Sequence, residues 1–356
     1  MQDGDQVRAD KAETRGNNRV LVGIDLGTSR TVIAASNGKR AELTSFVGKP
    51  KDVVAEKLFG KRLLFGEEAQ HNRMALHLYR PLAKGVIKTD NAENIEAVRA
   101  LLEHTISRVR SPNEVVYAVI GAPARASVQN KLAIVDAARG IVNGVMITSE
   151  PFSVAYGADL LTDALILDIG AGTMDLCRMH GTLPTEDDQI TIDKAGDHID
   201  QTLFDLLKKR HPEAQFSLNM IRAIKEKHGY VSDKSERIEV QLTVDGRPRK
   251  FDITEDLREA CSSILPDLIS AVHALIGSFD PEFQARLRNN VIVAGGGSQM
   301  YGLRKLIETG LEELGGGTVK LVDEPIFAGA NGALKIAREM PEEFWEHFDS
   351  QAKRAH

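Results

Sequence analysis

The 356-residue sequence predicts an α/β protein of two similar lobes, each a mixed sheet flanked by helices. One pattern occurs twice. The apolar run Val20–Val22 leads into Gly23-Ile24-Asp25-Leu26-Gly27-Thr28-Ser29, and Ala164–Leu167 leads into Asp168-Ile169-Gly170-Ala171-Gly172-Thr173-Met174-Asp175. In both, a strand reaches an aspartate, turns through small residues and resumes as a second apolar run. Around these pairs, short apolar runs alternate with stretches of helical period, the order expected of a mixed sheet covered on both faces.

The elements follow in order. Val20–Ile24 and Thr31–Ala35 read as consecutive strands, with a further turn at Asn37-Gly38. A phosphate loop of the Gly-x-x-x-x-Gly-Lys type would continue into a helix instead. Residues 49–85, rich in Lys, Arg and Glu, read as a small inserted subdomain. Asn91–Val109 carries Ile95, Val98, Leu102 and Ile106 at helical spacing. Val115–Gly121 is a strand, Gln129–Arg139 a helix, and Val145–Thr148 a short strand entering Ser149-Glu150-Pro151, followed by a helix over about Phe152–Leu160. Beyond the second turn, Ile199–Arg210 and Asn219–His228 are helical. Ile238–Val244 and Arg249–Ile253 form a hairpin across Asp245-Gly246. Leu257–Gly277 reads as one long helix with Pro266 as a kink or break. Val291–Ala294 is a strand, and Gly302–Leu314 and Asn331–Met340 are the last helices, with a charged, mobile segment expected after Pro341.

The chain is 42% hydrophobic and 27% charged with a formal net charge of −6. That composition fits a soluble globular protein and argues against partners of nucleic acid or anionic membrane. No apolar run is expected to reach the roughly 18 residues of a membrane helix. The first 18 residues are polar and of mixed charge, a loose tail without the apolar stretch of a signal peptide. Cys177 and Cys261 have apolar neighbours and read as buried reduced thiols. The ten histidines show no metal-ligand spacing.

The paired turns carry the chemistry. Glycine lets backbone N–H groups approach an anion closely, and successive N–H groups make a nest for phosphate oxygens. Gly27, Thr28 and Ser29 form one such cradle; Gly170, Ala171, Gly172 and Thr173 form the other. Asp25 and Asp168, facing each other across a cleft, would repel, and a hard cation relieves that repulsion. Mg²⁺ binds through a few carboxylates and substrate phosphates while keeping its waters, so both aspartates are expected to reach it through water. Glu150, at a strand end, is placed to position or polarise a water for attack on a γ-phosphate; on spacing alone it also reads as an N-capping acid for a helix starting at Pro151. Gly295, Gly296, Gly297 and Ser298 close a strand and suit close approach to a flat base, or simply make a flexible turn. Gly196 and Asp197 follow Ala195 in the same style and are candidates for phosphate contact.

Together these residues resemble the actin–chaperone–sugar-kinase ATPase superfamily. Two phosphate motifs, connecting helices after Glu150 and near Ala328-Gly329-Ala330, and an adenosine motif at Val293–Ser298 occur in that family's order over about residues 19–340. Within it the chain is similar to bacterial actins, in particular the magnetosome-filament actins. The stretches carrying that likeness are Gly23–Ser29, Val47–Val53, Ile120–Ser127, Ser149–Phe152, Asp168–Thr173 and Ile224–Lys227. The resemblance implies the actin-like ATPase fold with a nucleotide cleft, ATP or ADP with Mg²⁺ as cofactors, Glu150 positioning the hydrolytic water, and Asp168 helping with metal and water. It implies that Lys225 and Glu226 contact ribose and adenine, although as plain chemistry they are a charged helix face. It also implies head-to-tail self-assembly into cytoplasmic filaments that organise magnetosomes, with magnetosome-associated proteins as partners. Arg30-Thr31 departs from the pattern, because many relatives place a lysine soon after the first turn.

On this reading 19–48, 86–157 and 326–345 form the core of lobe I, with 49–85 its small subdomain. Residues 158–195 and 265–325 form the core of lobe II, with 196–264 its subdomain; 1–18 and 346–356 are tails. A chaperone would need a peptide-binding domain beyond Pro341. A small-molecule kinase of the sugar type and a non-polymerising actin-like scaffold stand as alternatives; intact phosphate motifs argue against the scaffold.

Overall fold

The computed structural model describes residues 18–232 and 237–345; the expected tails 1–18 and 346–356 lie outside the described residues, Asn18 excepted. The chain divides into two compact units. Unit 1 runs to Ala122, then takes Ala126–Gly157 and the residues from Gly329 on; unit 2 takes Pro123–Arg125 and Ala158–Ala328.

In unit 1, β1 (Arg19–Leu26), β2 (Arg30–Ala35) and β3 (Arg40–Thr44) form an antiparallel meander. Val47–Pro50, Leu64–Phe65 and Leu76–Tyr79 then make a small separate sheet over Phe46, Leu64, Ala69 and Leu76. Helix α1 (Ala92–Ser107) starts where the Asn91 side chain accepts the Asn94 N–H at 2.7 Å, an ordinary cap for an otherwise orphaned donor. β4 (Val115–Ala122), α2 (Val128–Ala138), β5 (Gly144–Ser149) and α3 (Glu150–Gly157) follow. The main sheet has the order β5-β4-β1-β2-β3, with β5, β4 and β1 parallel. Its central strands are apolar along their length because both faces are covered.

Unit 2 repeats this plan. β6 (Ala164–Ile169), β7 (Met174–Met179) and β8 (Gln189–Ile192) form the meander. Helices α4 (Gly196–Arg210) and α5 (Leu218–His228) come next, then the hairpin β9 (Glu239–Val244) and β10 (Arg247–Asp252). Its two-residue turn Asp245-Gly246 has positive φ at both positions, 48° and 75°, which suits the twist of the paired strands. After α6 (Thr254–Ser262), α7 (Leu265–Gly277) and α8 (Pro281–Arg288), β11 (Val291–Ala294) pairs parallel with β6. α9 (Leu303–Leu311) leads to β12 (Val319–Leu321), parallel to β11. The order β8-β7-β6-β11-β12 is the unit 1 arrangement again: three antiparallel strands, then two joined in parallel.

Helix α10 (Ala328–Glu339) packs in unit 1, where Ala333, Ile336 and Ala337 meet Tyr117 and Val119.

Four expectations need correction. The helix expected over Leu257–Gly277 is two helices, with Pro266 in the first turn of α7, where a missing N–H costs nothing. Thr254–Gly277 taken as a whole is apolar enough for a membrane test by length and composition. It instead lies in the unit 2 core through Leu257, Ile264, Leu268, Val272 and Leu275. The helix expected from Phe152 begins at Glu150. The segment after Pro341 is anchored as far as Trp345, which is 2% exposed, lies tilted against Tyr117 with ring centroids 5.2 Å apart and donates to the Ala337 carbonyl. Cys177 and Cys261 are both free and buried; burial, the largest cause in each case, pushes their thiols up to about 12 and about 11, so neither is a thiolate at neutral pH.

Candidate functional site

In unit 1 the parallel strands β1, β4 and β5 deliver their carboxyl ends side by side. Asp25 on β1 is in register with Gly121 on β4, and Gly121 with Thr148 on β5. Carboxyl ends of parallel strands are where α/β sheets bind ligands, since the chain leaves the sheet there through loops that can carry chemistry. Two residues past Thr148, Glu150 opens α3 and its Cγ lies 3.2 Å from where a Gly121 Cβ would sit. A side chain at position 121 would therefore push on Glu150. The half-buried Asp25 carboxylate lies against Gly329, in the first turn of α10, where the helix dipole favours an anion.

The first turn is closed by the Gly27 N–H donating to the Arg30 carbonyl at 3.0 Å. A Cβ at Gly27 would stand 2.6 Å from that carbonyl, so only glycine closes it this tightly. The other polar groups of the turn are held from behind. The Gly27 carbonyl accepts from the Ser45 hydroxyl at 2.7 Å, that of Thr28 from Arg80 Nε at 3.1 Å, and that of Ser29 from the Ser45 N–H at 2.8 Å. The buried Thr28 hydroxyl accepts the Gly85 N–H at 2.7 Å. Carbonyls tied down in this way cannot swing toward an anion and repel it, which is what an N–H nest requires.

The second turn is built alike. The Gly170 N–H donates to the Thr173 carbonyl at 2.9 Å. Here the carbonyls of Gly170 and Ala171 accept from Gly196 and Asp197, at 3.2 and 2.7 Å, so the start of α4 is docked on the turn. Asp168, 8% exposed, stands next to last in β6, in register with Ala294 on β11. The glycine turn after Ala294 crosses directly beside it. A Cβ at Gly295, whose φ is +76°, would lie 2.4 Å from Asp168 Oδ1 and 2.5 Å from the Ile169 carbonyl. Gly297 lies equally close over Ile169, and the buried Ser298 hydroxyl donates to the Gly295 carbonyl at 2.7 Å, holding the turn.

Lys225 reaches back from α5: Nζ pairs with Asp200 at 2.9 Å and donates to the Gly196 carbonyl at 3.2 Å. Arg222, one turn earlier, bridges Asp200 at 2.9 Å and Asp197 at 3.2 Å. Asp200 is fully buried, and the two cations compensate its charge there. Glu226 is exposed on the same helix. Asp200 and Arg222 were not singled out from sequence, although the matched three-residue spacing of Asp197/Asp200 and Arg222/Lys225 was the available signal. Unit 1 thus groups Asp25, Gly27–Ser29 and Glu150. Unit 2 groups Asp168, Gly170–Thr173, Gly196, Asp197, Lys225 and Gly295–Ser298. Among the described residues no three or more His, Cys, Asp or Glu side chains are grouped as a metal cage.

Residues 19–343 match the MreB/Mbl protein family. The chain belongs to the MreB/Mbl family. This family member is 40% identical over 336 residues to the actin-like protein MamK of Paramagnetospirillum magneticum, a match spanning 94% of this chain and 97% of that protein. Its fold is actin-like: a MamK double helical filament superposes with a TM-score of 0.89 at 41% identity, covering 91% of this chain and all of that one. A non-polymerising MamK mutant bound to AMPPNP superposes with a TM-score of 0.69 at 40% identity, covering 90% of this chain and 99% of that one.

Proposed function

We propose that this MreB/Mbl protein binds and hydrolyses ATP and assembles head to tail into cytoskeletal filaments, with the nucleotide state governing assembly. The observation that carries the reading is the repeated turn: in two units of one topology a central strand carries an aspartate next to its last residue and leads into a glycine-closed turn whose carbonyls are held by hydrogen bonds from neighbouring segments. Two turns of one design, each led by an aspartate, fit phosphate binding better than two unrelated hairpins do.

The residues present suit Mg²⁺. Asp25 and Asp168 are hard oxygen donors, and the site residues include no thiolate or imidazole to favour a softer metal. Both aspartates would hold it through water; when bound, it would neutralise charge on the phosphate oxygens. The chain's own residues do the remainder. Backbone N–H groups of the two turns bind phosphate oxygens, with Ser29 and Thr173 hydroxyls beside them. Glu150 accepts a hydrogen bond from the attacking water and orients it. The Asp200 carboxylate fixes Lys225, and the glycine turn at 295–297 gives a flat base room for close approach. The likeness to MamK supports a cytoplasmic role along the magnetosome chain. Filament growth follows from a heterologous contact that does not close on itself.

Two measurements test this. Purified protein should pellet on ultracentrifugation after addition of Mg²⁺ and ATP and show filaments by electron microscopy. Protein that stays in the supernatant and takes up neither ATP nor ADP would overturn the proposal. Asp168→Ala should shift the Mg²⁺ midpoint of ATP turnover upward by about 10-fold or more, the usual cost of losing a group that orients a metal's ligands. An unchanged midpoint would remove Asp168 from its assigned place.

A further inference from the structure

Asp175 is a buried acid that the proposed chemistry does not use. It is 1% exposed, at the start of β7, two residues past the second turn's Thr173. Its carboxylate accepts the Ala124 N–H at 2.8 Å and the Thr191 hydroxyl at 2.5 Å. Thr191 in turn accepts the Arg125 N–H at 3.0 Å. One carboxylate, on the strand that leaves the phosphate turn, therefore gathers a residue of β8 and, directly or through it, the N–H groups of Ala124 and Arg125.

Those three residues are unusual in the chain's path. Pro123–Arg125 belong to unit 2, while Ala122 before them and Ala126 after them belong to unit 1. The backbone of this crossover is fastened by the Asp175–Thr191 pair.

The duplicated plan supplies an internal control. Asp25 pairs with Val32 across the first hairpin, and Asp168 pairs with Asp175 across the second. The same hairpin is therefore built in unit 1 with valine where unit 2 has a buried acid. An acid there is not needed to form the turn, and burying one is costly unless hydrogen bonds compensate. Its partners here are the crossover N–H and Thr191.

We propose that Asp175 is a positioning residue that fastens the crossover segment 123–125 to the second phosphate turn, so that a phosphate held at Thr173 is felt at Ala124 and Arg125. This rests on the ATPase reading above. Asp175 acts here as a hydrogen-bond acceptor, and it is not a metal or nucleotide ligand.

The test compares Asp175→Val, which copies the first hairpin, with Asp175→Asn, which keeps a carbonyl oxygen to accept from Ala124, and with Thr191→Val, which removes the Arg125 acceptor and leaves the acid. Amide hydrogen exchange of residues 121–127 is followed with and without Mg²⁺-AMPPNP, alongside kcat, KM and the Mg²⁺ midpoint for ATP. Wild type should gain protection at Ala124 and Arg125 on adding nucleotide. Asp175→Val should lose that gain and drop in kcat by about 10-fold with KM changed by less than about 3-fold, the split expected of a group that acts on the chemical step without touching substrate. Asp175→Asn should restore both to within about 3-fold of wild type, the pattern of an uncharged acceptor role. Thr191→Val should raise exchange at Arg125 even if the valine variant fails to fold. The proposal is overturned if Asp175→Asn is as impaired as Asp175→Val with a shifted Mg²⁺ midpoint, which marks a charge acting on the metal. It is also overturned if the crossover amides exchange alike in all variants. Failure of wild type to bind nucleotide would sink the ATPase reading instead, and nucleotide-free exchange at Ala124 and Arg125 would still report whether the fastening exists.

Discussion

Glu150→Ala should bind ATP about as well as wild type and hydrolyse it at least about 100-fold more slowly, the low end of what a positioned acid–base group contributes. The basis is placement: Glu150 opens α3 at the end of β5, beside Gly121, which is itself in register with Asp25. Single-turnover phosphate release together with equilibrium ATP binding separates chemistry from affinity. A wild-type rate would remove Glu150 from its role. If the variant still pellets with Mg²⁺ and ATP, assembly needs only binding, and hydrolysis serves disassembly. Gly121→Ala makes a milder probe, since its Cβ would meet Glu150 Cγ at 3.2 Å, a contact the flexible side chain can relieve by moving.

Gly332→Ala should be strongly destabilising for a single methyl. Helices α10 and α3 cross there at backbone contact: the new Cβ would stand 1.7 Å from the Ser153 carbonyl oxygen and 3.3 Å from the Gly157 nitrogen. No side-chain rotation relieves a clash with a main-chain oxygen, so the helices must separate and their packing loosens. A loss of about 3 kcal/mol is expected, the upper range for overpacking, read as a lower urea midpoint at unchanged slope. Because α3 carries Glu150, turnover should fall at temperatures where the variant is still folded. Gly277→Ala is the control. Nothing lies within 4 Å of its Cβ, so it should be neutral or stabilising by about 0.5 kcal/mol through the unfolded chain. Equal stability of Gly332→Ala and wild type would mean that the helices do not pack as described.

The repeated turn was legible in the sequence because its chemistry is local. Gly27 and Gly170 each close a four-residue loop onto Arg30 and Thr173, and Asp25 and Asp168 precede them at one offset. The Asp245-Gly246 hairpin and the Asn91-capped helix were readable for the same reason. The break at Ser263-Ile264 was half visible, since Pro266 announced a boundary without saying on which side the helix would restart. The anchoring of Trp345 was not legible because a charged stretch hides one aromatic whose pocket, at Tyr117, is formed by distant residues.

What the sequence determined by itself was every feature resting on neighbours within a few residues: the two acid-led turns, the strand–helix alternation and the duplication. Only the tertiary structure decided what depends on residues far apart in the chain. It set Gly295 against Asp168, brought Lys225 and Arg222 onto a buried Asp200, and gave Asp175 the crossover amides to hold. The physical reason is that a buried charge or a missing side chain is tolerated only for the sake of a particular partner, and the identity of that partner is a property of the packed chain.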